Sequence, residues 1–149
     1  AYIGEYKGEI RYKSYAEFLA RSGLQLQWGY IVFTKMDAEG GYAAAEELLK
    51  RNTRPTAIFC ANDVTALGVL ECLKNRGIKV PQDVSVISID NISDASLCLP
   101  GLTTVSIPLR DMGAFAVKPL VDRIQHGHTF PLSIFMPPEL VVRGSVQAL

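Results

Sequence analysis

Two short apolar runs, each followed by a polar side chain, constrain the fold of this chain more than any other feature. The first run covers residues 56–60 and is followed by Asn62, and the second covers 84–89 and is followed by Asp90. Their length and β-branched content predict buried strands, and the leucines between them recur at helical spacing. A strand, a helix and a second strand in this order predict a right-handed parallel unit, which places Asn62 and Asp90 on one edge of a sheet.

The polar residues at these strand ends have two interpretations. Asn62 and Asp63 are common helix caps, because their side chains accept hydrogen bonds from the free N–H groups of a first turn. The alternative is a ligand-binding rim, because open parallel sheets bind ligands at the carboxyl ends of their strands. The repetition of the pattern at Asp90 favours the rim, and both interpretations remain open at this point.

The rest of the chain continues the alternation of strands and helices. Strands are expected at 2–3 and 30–33, helices at 14–21, 41–50 and about 110–125, and extended segments at 133–136 and 140–143. This order predicts an α/β fold, a parallel sheet with helices on both faces.

Composition limits the classes of protein that this chain can be. Its 48% hydrophobic content is typical of one globular domain, and no apolar run is long enough to predict a membrane span. The formal net charge is zero, which argues against a DNA-binding surface on this chain. Nothing near the start resembles a signal peptide, so we expect a cytoplasmic location.

Three blocks, in a fixed order, resemble the lactose/galactose repressor (LacI/GalR) family of bacterial regulators. They are the Asn62-Asp63 step, the strand VPQDVSVISID and the turn PGLTTV. The resemblance implies a type I periplasmic-binding-protein-like lobe, with residues 1–106 as the carboxyl-terminal lobe of an effector-binding domain. It also implies that 107–135 cross to a second lobe absent from this chain, and that 136–149 return to the first lobe and form the tail.

The same resemblance implies a site and its partners. Arg11, Asn62 and Asp90 would bind hydroxyls of a small-molecule effector, a sugar or sugar derivative. Met36 stands where the family often has an aromatic residue, and it would lie against an apolar face of the effector. Operator DNA would be bound through a headpiece outside this chain.

A dimer interface is also implied by the family comparison. Apolar residues recur on the helix after Asn62 and just before Pro100, with one charged residue among them. The alternative is that the apolar ones belong to the core of a single chain. The residues expected at the interface of a homodimer are Leu67, Leu70, Glu71, Leu97, Cys98 and Leu99.

The helix expected near 110–125 carries an apolar stripe with an unusual implication. Met112, Phe115, Leu120 and Ile124 lie at helical spacing, which by itself predicts a core-facing helix. In the resembled family this segment packs on the other lobe. We therefore expect this helix not to pack on the chain's own sheet.

Other classes of protein are less well supported by the sequence. A periplasmic sugar-binding protein of an uptake transporter has the same fold and is the alternative to the repressor. The three cysteines show no Cys-x-x-Cys pair, and we expect reduced, buried thiols. No nucleophile has a paired base at recognisable spacing, so no catalytic residue and no enzyme activity are expected. We also expect no metal site, no cofactor and no membrane partner.

Overall fold

A computed structural model describes residues 1–127 and 130–147 of the chain. The strands are β1 (Tyr2–Gly4), β2 (Ile31–Phe33), β3 (Ala57–Cys60), β4 (Ser85–Asp90), β5 (Thr103–Ser106) and β6 (Glu139–Val141). The helices are α1 (Ile10–Arg21), α2 (Ala38–Leu49), α3 (Asp63–Asn75), α4 (Ser93–Leu97) and α5 (Leu109–His126), with one turn of 3-10 helix at Trp28–Tyr30.

The strands form one sheet in the order β2-β1-β3-β4-β5-β6. All neighbours are parallel except β5 and β6, which pair antiparallel with Val105 opposite Leu140. The α/β class predicted from the sequence is confirmed, and the sheet is parallel as predicted except for β6 at its edge. The reason is that the chain comes back from α5 along the free edge of β5, in the opposite direction.

Consecutive side chains of β1 show that both faces of the sheet are covered. Tyr2 packs with Tyr12 of α1, and Ile3 packs in the larger cluster with residues of α2 and α3. Neighbouring residues on a strand point to opposite faces, so the two clusters lie on opposite sides of the sheet. Helices therefore lie on both faces of the sheet, as predicted.

Helices α2 and α3 approach each other closely through glycines. A Cβ atom on Gly68 would overlap the carbonyl oxygen of Ala38, and one on Gly41 would overlap that of Thr65. The two helices can therefore pack at this distance only without side chains at these positions. This contact fixes the beginning of α3, where Asn62 and Asp63 lie.

Helix α5 lies apart from the core of the sheet. None of its described residues is buried, and Met112, Phe115, Leu120 and Ile124 expose between 45% and 75% of their surface. Residues 133–136, expected to be extended, form no strand. They lie instead beside α5, where Ile134 and Phe135 line a surface depression with side chains of that helix.

The segment after β6 returns to the sheet. The Ser145 side chain is fully buried, donates to the carbonyl oxygen of Val86 (2.6 Å) and accepts from the backbone N–H of Thr103 (2.8 Å). These two hydrogen bonds therefore hold the segment after β6 against β4 and β5. The predicted bounds 107–135 and 136–149 include residues 128–129 and 148–149, which lie outside the described residues.

No helix in the described part of the chain is long and apolar enough to cross a membrane.

Candidate functional site

The four residues predicted to bind an effector lie beyond the carboxyl ends of four neighbouring strands. Arg11 follows β1, Met36 follows β2, Asn62 follows β3, and Asp90 ends β4. Hydrogen bonds connect three of these positions. Arg11 Nη1 donates to the carbonyl oxygen of Ala61 (2.6 Å), and Asn62 Nδ2 donates to that of Met36 (3.2 Å). The geometry of the parallel sheet therefore brings the predicted residues to one rim.

Arg11 is held in place by the carboxylate of Glu9, a contact that was not predicted from the sequence. Glu9 caps the start of α1, is only 6% exposed, and forms an ion pair with Nε of Arg11. The Tyr2 hydroxyl donates to the same carboxylate, and burial followed by the hydrogen bond to Glu9 raises the pKa of Tyr2. Because a guanidinium has five N–H groups, these contacts fix its plane and leave further donors at the rim.

Asn62 performs the capping role that the sequence allowed. Its Oδ1 accepts from the backbone N–H of Thr65 at 2.9 Å, which makes it the N-cap of α3. Its amide nitrogen donates to Met36, as above, and has a second N–H. Contact between this amide and an effector stays a prediction.

Asp63 has a larger role than the cap predicted for it. The side chain is fully buried and accepts hydrogen bonds from the hydroxyls of Ser88 and Thr104 and from the backbone N–H of Ile92 (2.8 Å). A buried carboxylate is tolerated when its oxygens are satisfied in this way. Asp63 thus connects the start of α3 with β4, β5 and the loop after β4.

Asp90 has an unusual backbone conformation. Its φ is 121°, and that of Asn91 is 57°, both in the region that non-glycine residues rarely adopt. Such conformations cost about 1–3 kcal/mol each and cluster at functional sites. Burial raises the pKa of the half-buried Asp90 carboxyl, the Asp63 carboxylate raises it further, and the Arg11 guanidinium lowers it.

Met36, the remaining rim residue, is half-buried and packs beside the Tyr2 cluster on the α1 face of the sheet. Its flexible thioether can cover an apolar face of a ligand without offering an aromatic ring. The rim therefore combines a fixed cation at Arg11, an anion at Asp90 and an apolar surface at Met36. This combination can bind a neutral, hydroxyl-rich molecule.

The residues predicted at a dimer interface differ in burial. Leu97 and Leu99 are 75% and 92% exposed, and Leu67 and Cys98 are half-buried. Leu70 is only 8% exposed, so most of its surface belongs to the core. Glu71 is exposed. Leu70 still reaches the surface beside Leu99 and Pro100, where these side chains line one shallow depression.

All three cysteines are free thiols. Cys60 and Cys72 are buried, and burial raises the pKa of both. The Cys98 thiol donates to the carbonyl oxygens of Ala95 and Pro100. Because the thiolate is the reactive form, a raised pKa disfavours Cys60 and Cys72 as nucleophiles. No group of three or more potential metal ligands occurs among residues 1–127 and 130–147.

Comparison with known proteins agrees with this geometry. Residues 1–146 match the family model of a periplasmic binding protein-like domain. The HTH-type transcriptional repressor CytR of Escherichia coli (strain K12) is 40% identical over 139 residues, which are 93% of this chain and 41% of that protein. The HTH-type transcriptional repressor PurR of Pasteurella multocida (strain Pm70) is 36% identical over 153 residues, 98% of this chain and 46% of that protein.

Solved structures show the same similarity. The transcriptional repressor ascG of Escherichia coli superimposes with a TM-score of 0.89 and 29% identity, covering 99% of this chain and 55% of that chain. The complex of the transcriptional regulator CelR with cellobiose has a TM-score of 0.89 and 31% identity, covering 97% of this chain and 46% of that one. The chain thus spans less than half the length of the two curated relatives, CytR and PurR.

Proposed function

The chain belongs to the periplasmic-binding-protein-like domain family, in the LacI/GalR branch indicated by its motifs, and on that premise we propose that it senses the effector of a bacterial transcriptional repressor. The effector would be a sugar or sugar derivative. Effector binding would change operator affinity through a headpiece outside this chain, because a ligand shifts a two-state equilibrium when it binds the two states differently. A repressor acts on DNA, so the proposed compartment is the cytoplasm.

The proposal rests on one observation, that a fixed cation and an anion lie at the same rim. Arg11, after β1, is fixed by Glu9 and Ala61, and the strained backbone of Asp90 presents a carboxylate at the end of β4. A guanidinium donates and a carboxylate accepts, so together they can bind sugar hydroxyls. The structural relative in complex with cellobiose supports a sugar as the class of effector.

The exposed face of α5 supports a second lobe. Apolar side chains worth about 1.5–3 kcal/mol each when buried are exposed along this helix, Phe115 and Ile124 among them. We propose that they pack on a lobe outside this chain and that the effector is enclosed between the two lobes. This chain alone would then bind the effector weakly, because it forms half of the cleft.

The transport alternative has less support. The relatives and solved structures named above are repressors or regulators, which favours the repressor over an uptake protein of the same fold. No catalytic step is proposed, since the rim holds no nucleophile with a paired base.

A thermal-shift screen of the intact regulator against mono- and disaccharides, cellobiose included, tests the proposal. A ligand at 100 times its Kd stabilises the folded state by about 2.7 kcal/mol, which is readily detected as a rise in Tm. We expect at least one sugar to raise the Tm of the wild type, to raise that of Asp90→Ala much less, and to change operator binding in fluorescence anisotropy. A sugar that stabilises both proteins equally would reject the assigned rim.

We also propose a homodimer through the surface that includes Leu97 and Leu99. A large exposed leucine such as Leu99, next to a shallow apolar depression, is typical of an isologous contact in which one patch serves both subunits. In sedimentation of the intact protein, Leu99→Arg should weaken the dimer. Leu24→Arg, on a leucine that is 57% exposed outside this surface, is the control and should leave the dimer intact. A dimer equally stable in both variants would exclude this surface.

A further inference from the structure

Arg143, in the segment after β6, contacts the loop after β4, next to the Asp90 carboxylate that is proposed to bind the effector. Its Nη2 donates to Oδ1 of Asn91 at 2.7 Å, and its Nη1 donates to the carbonyl oxygen of Leu102 at 2.7 Å. Its backbone N–H donates to the Thr103 hydroxyl at 2.9 Å. Among residues 1–127 and 130–147, no carboxylate forms an ion pair with this guanidinium. The cation is therefore used to hold neutral oxygens, one just before β5 and one in the loop after β4.

Asn91 is held by other groups as well. Its Nδ2 donates to the Ser106 hydroxyl at 3.2 Å, and its backbone N–H donates to the Thr104 hydroxyl at 3.3 Å. The Thr104 hydroxyl in turn donates to the buried carboxylate of Asp63 at 2.6 Å. These hydrogen bonds hold Asn91 against β5 and the segment after β6. Each of them therefore opposes rotation of the loop after β4.

The conformation of Asn91 explains why an asparagine stands there. Its φ of 57° is left-handed, which asparagine tolerates better than most side chains. A glycine would adopt this conformation more easily, but it could not accept the Arg143 hydrogen bond. The residue therefore combines the required backbone with a side chain that can be clamped.

The contacts of Asn91 also affect Asp90, which directly precedes it in the chain. Its own φ of 121° is unfavourable, so a free loop would relax and its carboxylate would turn away from the rim. A binding group is effective only when it is held in place before the ligand arrives.

We propose that Arg143 is a positioning residue, which clamps Asn91 and thereby keeps the Asp90 carboxylate at the rim. The inference rests on the proposed function for what Asp90 binds. The clamp itself exists without an effector, so it can be tested on the ligand-free chain.

Nuclear magnetic resonance of the whole chain provides the test, with Arg143→Met and Asn91→Gly as the variants. Both remove the hydrogen bond between the two side chains, and Asn91→Gly does so without changing charge or disfavouring the backbone. Loss of a hydrogen bond to a charged group should accelerate amide hydrogen exchange at position 91 at least about tenfold in each variant. The double variant should exchange no faster than Asn91→Gly, because the Asn91 side chain that Arg143 holds is already missing there. Arg143→Lys should recover part of the protection.

Two further measurements separate a positioning role from general support of the fold. The Ala61 amide, bonded to the Ile3 carbonyl oxygen at 2.9 Å, is the internal reference and should keep its exchange rate. The Asp90 carboxyl carbon is followed through a pH titration. In Asn91→Gly the released carboxyl should turn to solvent, so its raised pKa should fall towards the ordinary value.

The matched control is Arg21→Met, which removes an exposed arginine paired with Glu17 on α1, and it should change none of these measurements. Unchanged exchange at position 91, equal acceleration at Ala61, or an unmoved Asp90 titration in Asn91→Gly would each overturn the proposal. None of these outcomes depends on the identity of an effector, so failure of the clamp is distinguishable from failure of the proposed function.

Discussion

Replacement of Asp63 by alanine tests whether this residue connects three parts of the rim or merely belongs to a helix start. Its carboxylate is fully buried and accepts hydrogen bonds from Ser88, Thr104 and the backbone N–H of Ile92. An alanine would leave these donors without their acceptor in the interior. The partners come from β4, β5 and the loop after β4, so the loss would affect these three segments at once.

The magnitude follows from these contacts. A hydrogen bond to a charged group contributes about 1.5–3 kcal/mol, and an orphaned buried donor costs about 1–3 kcal/mol. The contributions are not additive, because the hydroxyls can rotate and water can enter the vacated space. We expect Asp63→Ala to lower the free energy of unfolding by about 3–5 kcal/mol, a large fraction of the 5–15 kcal/mol typical of a domain.

Urea unfolding measures this difference, and Asp37→Ala provides the comparison. Asp37 is an exposed N-cap that accepts one hydrogen bond, from Gly40 N–H at 2.7 Å. The same substitution there should cost about 1 kcal/mol. If Asp63→Ala costs no more than Asp37→Ala, the interior network contributes nothing beyond an ordinary cap and the reasoning is refuted.

Other substitutions test the rim and the packing behind it. Asp90→Ala should weaken binding of the sugar found by the screen by about 1.5–3 kcal/mol for each lost hydrogen bond, and calorimetric titration showing equal affinity would refute the assignment. Because the pKa of Asp90 is raised on folding, its ionisation destabilises the fold as pH rises from the ordinary value through the raised one. Asp90→Asn should therefore gain stability relative to the wild type as the pH rises above the ordinary aspartate pKa, and parallel pH profiles would contradict this sign. Gly68→Ala should destabilise the fold by about 1–3 kcal/mol, because its Cβ atom would overlap Ala38. Gly113→Ala, in open space on α5, should stabilise the fold by about 0.5–1 kcal/mol. Equal shifts in the Tm of the two variants would exclude the packing argument.

The sequence predicted the general position of the rim but only part of its chemistry. Asn62 and Asp90 follow apolar strands, and in a parallel unit such positions meet at one edge. Glu9 and Asp63 were not predicted in their roles. Each is charged and buried, and hydrophobic periodicity carries no information on charged residues that fold inward.

The helix boundaries could also be predicted only in part. Helix α1 begins at Ile10 rather than near Ser14, because Glu9 supplies the cap, accepting from the Arg11 N–H at 3.3 Å. A glutamate is not among the preferred capping residues, so local propensity gave no sign of this start. The apolar stripe on α5 was visible from its spacing, but that spacing alone predicts burial, and the stripe is exposed.

The sequence by itself determined the alternation of strands and helices, because these elements follow from periodicities of two and of 3.6 residues, and it placed polar residues at the strand ends. The tertiary structure alone decided which distant side chains meet. Asp63 reaches Thr104 across 41 residues, and Arg143 reaches Asn91 across 52. Such partners are set by the order and register of the strands and by the antiparallel return of β6. A short-range pattern cannot encode them, because each contact depends on where two remote segments come to lie in the same sheet.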